Sequence, residues 1–364
     1  MRKVLRVSIY CVLLAVVPLS AFFLLPTSVR YRITERYAFA AGRPGVGVHL
    51  AIMLPKSGPY QAVENVVVDW SGAEARESHE SVDVVMLDGV TGDDGTLEAA
   101  LTYDVALRQG GVWWNDPVKE EYLAAESEIE SDAPMLVRKA EEIAADPSRK
   151  GVYRIYAFTV RHLSWPSGTR EGGGQSALTA YQTGIGVCGE RANLMTALCR
   201  ASGIPAKSIT GLSLPWLLPP YVTRRGAWAQ HPGGSHAWAE VHSEEGWQLV
   251  DPTLASRLPL DRLLFGRSFG QHLSYGDSSQ HARVYEGMMA WGRSRGEIAG
   301  AMSAPFKFVT AVDEEGVTVS PVVSVRKARD VRWFVGVGVY VAILVTADFF
   351  ERRLQRANED TTSG

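Results

Sequence analysis

The sequence predicts an α+β chain. A helix carrying a cysteine at its first turn packs on an antiparallel sheet, preceded by a small β-rich domain and flanked by two membrane-spanning helices. Three observations predict this. Apolar runs at 7–25 and 333–350, the second interrupted only by Asp348, stand at either end of the 364-residue chain and are long enough to cross a bilayer. Short β-branched runs separated by turn-forming residues fill 43–115. Between 130 and 325, helical periodicity and strict alternation occur side by side.

The first apolar run follows Arg2, Lys3 and Arg6. It is long for a signal-peptide core, and the only small-x-small pattern, Ala38-Phe39-Ala40, lies well past it, beyond Arg30, Arg32, Glu35 and Arg36. It is therefore expected to stay as an anchor. The second run carries glycines and is flanked by Arg332 and Arg352, which suits a span better than a buried strand or helix. With the short basic N terminus kept in the cytoplasm, residues 26–332 are expected outside the cytoplasmic membrane.

VGVHLAIML, ENVVVDW, SVDVVML and AALTYDVAL read as strands around the turns Lys56-Ser57-Gly58-Pro59 and Gly92-Asp93-Asp94-Gly95, a small sheet or sandwich without evident chemistry. Residues 116–132 are acidic and read as a solvated linker or surface helix. Asp132-Ala133-Pro134 opens a helix to Ala145, and further helices are expected over 153–163 and 176–183. In 188–202, Ala192, Leu194, Met195, Leu198 and Cys199 recur at helical spacing, and Gly203 with Pro205 ends the helix. A strand follows over 207–212. The Pro- and Gly-rich stretch 213–235, with Trp216, Tyr221 and Trp228, is a long loop of the kind that tends to be functional. From 255 to 330 the chain reads as mixed strand and loop, including a hairpin about Asp313-Glu314-Glu315-Gly316, with no further chemistry.

A net charge of −3, with no basic run interleaved with aromatics, gives no sign of nucleic-acid binding. Three cysteines cannot form a disulfide framework. Cys11 lies in the first apolar run, and Cys188 and Cys199 would stand roughly 16 Å apart along one helix, so both are expected as free thiols. There is no CxxC pair, no HExxH and no DxDxDG loop, and no metal or cofactor is expected.

A structural cysteine prefers the buried stripe of a helix. Cys188 instead opens its helix, where unpaired N–H groups and the macrodipole favour the thiolate. A thiol nucleophile needs an imidazole, and the imidazole an orienting group. HAWAEVHSEEGWQLVDPT, residues 236–253, alternates about Ser243-Glu244-Glu245-Gly246 as a β-hairpin. If His242 pairs with Trp247, then His236, Trp238, Glu240, Asp251 and Thr253 share a face, with His236 and Asp251 as diagonal neighbours within reach of each other. His231 and His242 are alternative bases, but neither lies on the Asp251 face. Cys199 reads as core, and Glu240 as a tie to a neighbouring strand or loop.

GVCGERANLMTALCRASGIPAKSITG (186–211), HAWAEV (236–241) and GWQLVDPT (246–253) together resemble the core motifs of the transglutaminase-like superfamily within the papain-like cysteine enzymes. The resemblance covers about residues 130–255. It implies a papain-like core with Cys188 as nucleophile, His236 as general base and then acid, and Asp251 as the orienter of the imidazole. It further implies attack on an amide or ester carbonyl through a thioester, resolved by water in a peptidase or amidase and by an amine in a cross-linking enzyme. Gln182, six residues before Cys188, stands where papain-like proteases carry an oxyanion-hole glutamine. A helix-surface glutamine would look the same, and the Cys188 N–H is the other donor. Trp238 is expected to wall the cleft. In a membrane-anchored setting the partner is a peptide or protein substrate of the cell envelope, beside the lipid bilayer. The competing class is a non-enzymatic fold kept as an envelope binding or assembly module, which the intact Cys188, His236 and Asp251 disfavour.

Overall fold

Long amphipathic strands dominate the computed structural model, which describes residues 28–145, 151–166, 176–215, 223–227, 234–253, 264–302 and 308–328. The apolar runs at 7–25 and 333–350 lie outside them, as do Trp216, Tyr221, Trp228 and His231 of the Pro- and Gly-rich loop. Among the described residues no helix is long and apolar enough to cross a membrane.

In chain order the strands begin with β1 (Ser28–Ala40), β2 (Gly47–Pro55), β3 (Gln61–Asp69), β4 (Ala73–Ser78), β5 (Val82–Val90), β6 (Thr96–Gly111) and the short β7 (Trp113–Trp114). Helices α1 (Pro134–Ala145), α2 (Gly151–His162), α3 (Ala177–Thr183) and α4 (Cys188–Ala201) follow. Then come β8 (Ala206–Ser213), β9 (Thr223–Ala227), β10 (Ser235–Ser243), β11 (Gly246–Val250), β12 (Arg267–Phe269) and β13 (His272–Asp277). Helix α5 (Ser278–Arg293) precedes β14 (Glu297–Met302), β15 (Phe308–Val312) and β16 (Thr318–Lys327).

These strands make three sheets. One runs β12-β6-β1-β16-β9 with β3 also on β6, a second β14-β15-β2-β5-β4, and the third β13-β8-β10-β11-β7. The first two face each other over one core that joins Tyr31, Ile33, Tyr37 and Phe39 of β1 and Leu101 and Tyr103 of β6 to Leu50 and Ile52 of β2 and Val85 of β5. The third carries the helices: α4 packs on β8 and β10, with α1, α2 and α3 around it. The other face of this sheet buries Ile209, Trp238 and Leu249 with Tyr60 and Val112. Within this sheet Glu240 of β10 meets Lys207 of β8 at 2.7 Å, and by accepting from the Tyr60 hydroxyl at 2.7 Å it ties the sheet to the segment before β3.

The β-rich region does not end where the sequence draws its boundary. Strand β15 pairs with β2, and β16 with β1, so residues beyond the helical core complete the sheets begun by residues 28–111. The expected hairpin about Asp313–Gly316 is replaced by a crossing between sheets, because β15 and β16 belong to different ones. Residues 116–132 form neither a helix nor a bare linker. They make a single 3-10 turn at Glu120–Tyr122, with Tyr122 and Ile129 buried.

The segment read as strand and loop after 255 contains α5. Its N-cap is Asp277, which accepts from the Ser279 and Gln280 amides at 3.0 and 3.2 Å. Its buried stripe is His281, Val284, Met288 and Gly292, helical in spacing but too polar to announce itself. Burial lowers the pKa of His281 to about 4. The unfolded imidazole binds a proton near pH ~6.5 and the folded one does not, so this contribution is nil above that pH. As pH falls towards 4 the fold is destabilised by up to about 3 kcal/mol. His281→Phe, which keeps a ring against Tyr275, is expected to narrow the gap between urea-unfolding free energies measured at neutral and acid pH.

Candidate active site

Helix α4 starts at Cys188, with Val187 as N-cap. Valine has no side-chain oxygen to cap with, but Glu190 reaches back and accepts the Val187 N–H at 3.0 Å, which is half of a capping box. The first-turn amides, including that of Cys188, have no intrahelical acceptor and form the positive end of the macrodipole. From Glu190 to Arg200 the helix is buried on every side. The thiol of Cys188 is thus fixed at the mouth of a rigid element, half-buried, while Cys199 is fully buried and both are free.

The hairpin has the register that alternation predicts, His242 opposite Trp247 and Ala239 opposite Val250. Asp251, just past β11, meets His236 Nε2 with Oδ2 at 2.9 Å. Its Oδ1 accepts the Thr253 N–H at 2.8 Å. A carboxylate only accepts, so Nε2 of His236 carries the proton and Nδ1 is the nitrogen left for the thiol.

Burial pushes the Cys188 thiol up. The hydrogen bond and charge of His236, with the Ala237 backbone, outweigh burial and leave the thiol below its ordinary range. For His236 burial works downward, but the charge and hydrogen bond of Asp251, and then Cys188, raise it to about 10. Burial opposes ionisation of Asp251 too, and the two imidazoles on it overcome that, holding its carboxyl far below the usual range. A thiolate, an imidazolium and a carboxylate in line are what these shifts favour together.

The second imidazole belongs to His272, in the region read as lacking chemistry. It is fully buried, and its Nε2 lies 3.1 Å from Asp251 Oδ2. Strand β13 reaches the site by pairing with β8, His272 opposite Ser213, a contact between distant segments that no local pattern announces. The available signal was a histidine beginning an alternating run just after Gly270.

Trp238 is fully buried and backs the site instead of opening onto it, with its ring 4.8 Å from His272 and 5.8 Å from His236. Gly211, opposite His236 on β8, makes room for it. A Cβ there would come within 2.4 Å of Trp238 Cη2 and 2.3 Å of the Leu273 carbonyl oxygen. Gly211→Ala is therefore expected to lower stability by about 1–3 kcal/mol through overpacking and to displace the wall behind both histidines, measurable as a lower Tm together with slower alkylation of Cys188. Gln182 is exposed, and its amide points to Met135 Sδ at 3.5 Å; the structure does not bring it to the thiol. His242 packs edge-on to Trp247, away from Asp251.

Among the described residues, His236, Asp251 and His272 form the one group of three whose ligand atoms lie close enough to hold a metal. The 2.9 and 3.1 Å separations are hydrogen bonds, however, and the oxygen a cation would need already accepts both N–H groups.

Residues 136–252 match the transglutaminase-like superfamily. The chain carries a transglutaminase-like domain. No curated protein matches the sequence. Among solved structures, a candidate cysteine protease from Cytophaga hutchinsonii superposes with a TM-score of 0.50 at 16% identity, covering 84% of this chain and 92% of that one. At that identity the likeness is one of fold. The periplasmic domain of TgpA from Pseudomonas aeruginosa is looser, with a TM-score of 0.35 at 16% identity over 66% of this chain and 92% of its own. A candidate protease from Parabacteroides distasonis reaches 0.28 at 13% identity over 82% and 69%. These two likenesses are too loose to argue from. The matched residues hold most of α1, all of α2, α3 and α4, and strands β8, β10 and β11 of the third sheet, whereas β7, β13 and α5 lie outside the match.

Proposed function

We propose that the protein is a membrane-anchored cysteine enzyme that cleaves or transamidates amide bonds, with Cys188 as nucleophile, His236 as base and acid, and Asp251 as orienter. The observation that carries this reading is the line from Asp251 through His236, at 2.9 Å, to a thiol of lowered pKa at a helix N-terminus. The Cys188 proton passes to His236 Nδ1, and the thiolate attacks the carbonyl carbon. As the C–S bond forms, the π pair moves to oxygen, where the Cys188 N–H stabilises it. Collapse expels the amine, which takes the proton from His236 and leaves a thioester. Water or a second amine, deprotonated by His236, then displaces Cys188. Asp251 stabilises the imidazolium throughout.

Anchoring is part of the proposal. Strands β1 and β16 are antiparallel neighbours, Tyr31 opposite Lys327, so the segments leading to 7–25 and 333–350 depart from adjacent strand ends. That supports two spans entering one membrane, with peptides or proteins of the cell envelope as substrates.

The test is alkylation of Cys188 by iodoacetamide against pH in the full-length chain. Peptide mapping by mass spectrometry keeps Cys11 and Cys199 apart. Fast reaction well below the ordinary thiol value of ~8.5 is expected, returning to that value in His236→Ala. An ordinary titration indifferent to His236 leaves a non-enzymatic envelope module as the better reading.

A further inference from the structure

We propose that His272 is a positioning residue for this site, a neutral second imidazole whose Nε2–H holds the Asp251 carboxylate in place for His236. The inference rests on the roles given above to Cys188, His236 and Asp251.

Asp251 Oδ2 lies 2.9 Å from His236 Nε2 and 3.1 Å from His272 Nε2, and Oδ1 takes the Thr253 amide at 2.8 Å. Since the carboxylate can only accept, His272 carries its proton on Nε2. The other nitrogen is also accounted for. His272 Nδ1 lies 3.1 Å from Ser268 Oγ, which also accepts the Gly270 N–H at 3.1 Å; on a neutral ring protonated at Nε2, Nδ1 accepts the Ser268 hydroxyl proton. Both ring nitrogens are satisfied with no charge on the ring. Burial and the neighbouring charge of His236 hold His272 below its ordinary pKa, against the pull of Asp251.

A neutral donor suits the purpose. A charged His272 would compete with His236 for the single carboxylate and make the imidazolium less stable. A neutral one contributes an N–H without claiming the charge. With Thr253 it holds Asp251 from two directions independent of His236, so the carboxylate stays aligned while His236 gains and loses its proton. Ser268 extends the support to the sandwich, because β12 pairs with the end of β6, Ser268 opposite Gly110. The orientation of the site is thereby fixed from the strands outside the superfamily match as well as from within it.

Two variants of the full-length chain separate this role from space-filling. His272→Phe keeps a ring against Trp238 and removes both hydrogen bonds. His272→Gln loses the ring but can place an amide donor where Nε2 stood. Positioning predicts that the phenylalanine variant alkylates Cys188 about tenfold or more slowly in the range where an ordinary thiol is protonated. It also predicts a rise in the pH of onset, and recovery of the wild-type profile in the glutamine variant. The reverse order, phenylalanine normal and glutamine impaired, overturns the proposal. A second measurement needs no variant. In the wild-type chain labelled with [15N]histidine, His272 is expected to keep the neutral Nε2–H form while His236 titrates. An Nδ1–H form, or a charged His272 at neutral pH, overturns it. An ordinary thiol in the wild type would bring down the site as a whole, whereas a reactive wild type with an unchanged phenylalanine variant brings down the role of His272 alone.

Discussion

Asp251→Ala is expected to cost the folded chain about 3–5 kcal/mol, the range for removing one partner from a buried, hydrogen-bonded charge pair. The side chain is buried and takes three N–H donors, from His236, His272 and Thr253. Alanine leaves all three without an acceptor, two of them on imidazoles that cannot turn to solvent. Asp251→Asn is the milder change for stability and nearly as severe for chemistry. Its single oxygen serves either the imidazoles or Thr253, and its NH2 then opposes a donor on the other side. Loss of the negative charge also removes what stabilises the imidazolium, with a rate loss on the order of 10³–10⁴ where an orienting carboxylate is replaced this way. The stability effect has a defined pH window. Asp251 has a depressed folded pKa, so its contribution is present above the unfolded value of ~3.9 and fades as pH falls through the folded one. His236 is raised to about 10, so its share is complete below its unfolded value of ~6.5 and is lost as pH rises through the folded one. Urea unfolding of wild type and Asp251→Ala should therefore differ most between those two unfolded values, and the difference should narrow on the alkaline side as the His236 share is lost. A difference that stays flat to strongly alkaline pH would show that Asp251 acts by packing and not through its charge.

Local order made much of the site readable from sequence. The pairing of His242 with Trp247 follows from alternation about a four-residue turn, and that register alone puts His236 beside Asp251. The start of α4 follows from periodicity and from the Gly203 and Pro205 stop. What escaped depends on pairing between distant segments. His272 becomes part of the site only because β13 joins β8, and a lone histidine in a short alternating run does not reveal its partner. Strand β1 was hidden differently. Val29, Tyr31, Ile33, Tyr37 and Phe39 alternate inward, but the intervening arginines, and Glu35 in the inward row, mask the alternation that would mark the stretch as a strand. The structure resolves the anomaly, since buried Glu35 accepts from the hydroxyls of Tyr37 and Tyr103 at 3.0 and 2.8 Å. The return of β15 and β16 to the first strands is likewise a matter of topology, which short-range hydrophobic patterns do not encode. Gln182 shows what spacing alone does not fix. Its spacing fits a family habit, but its amide is directed to Met135.

Cys188→Ala and His236→Ala should each remove nearly all turnover, about 10⁴-fold or more, and the double variant should be no worse than either, as expected of residues acting as a unit. The reasoning turns on what each group does without the other. Without His236, the thiol keeps the help of the helix N-terminus but loses its hydrogen bond and countercharge, while the burial that opposes ionisation remains. Without Cys188, His236 stays a protonated imidazole on Asp251 with nothing to activate. Cys188→Ser tests the same point at nearly constant shape, because a hydroxyl is far too weak an acid to be ionised by this imidazole. An activated ester such as p-nitrophenyl acetate is a suitable probe, since acylation releases a coloured leaving group before the thioester is resolved. A burst equal to the enzyme concentration is expected in the wild type and in none of the four variants. Adding a primary amine during the slow phase then distinguishes the two fates of the thioester. Faster turnover with formation of the amide means that the site accepts an amine as the second substrate. An unchanged rate with only acetate released means that water has sole access. A full burst in His236→Ala would instead assign proton removal to another group and dissolve the pairing on which the mechanism depends.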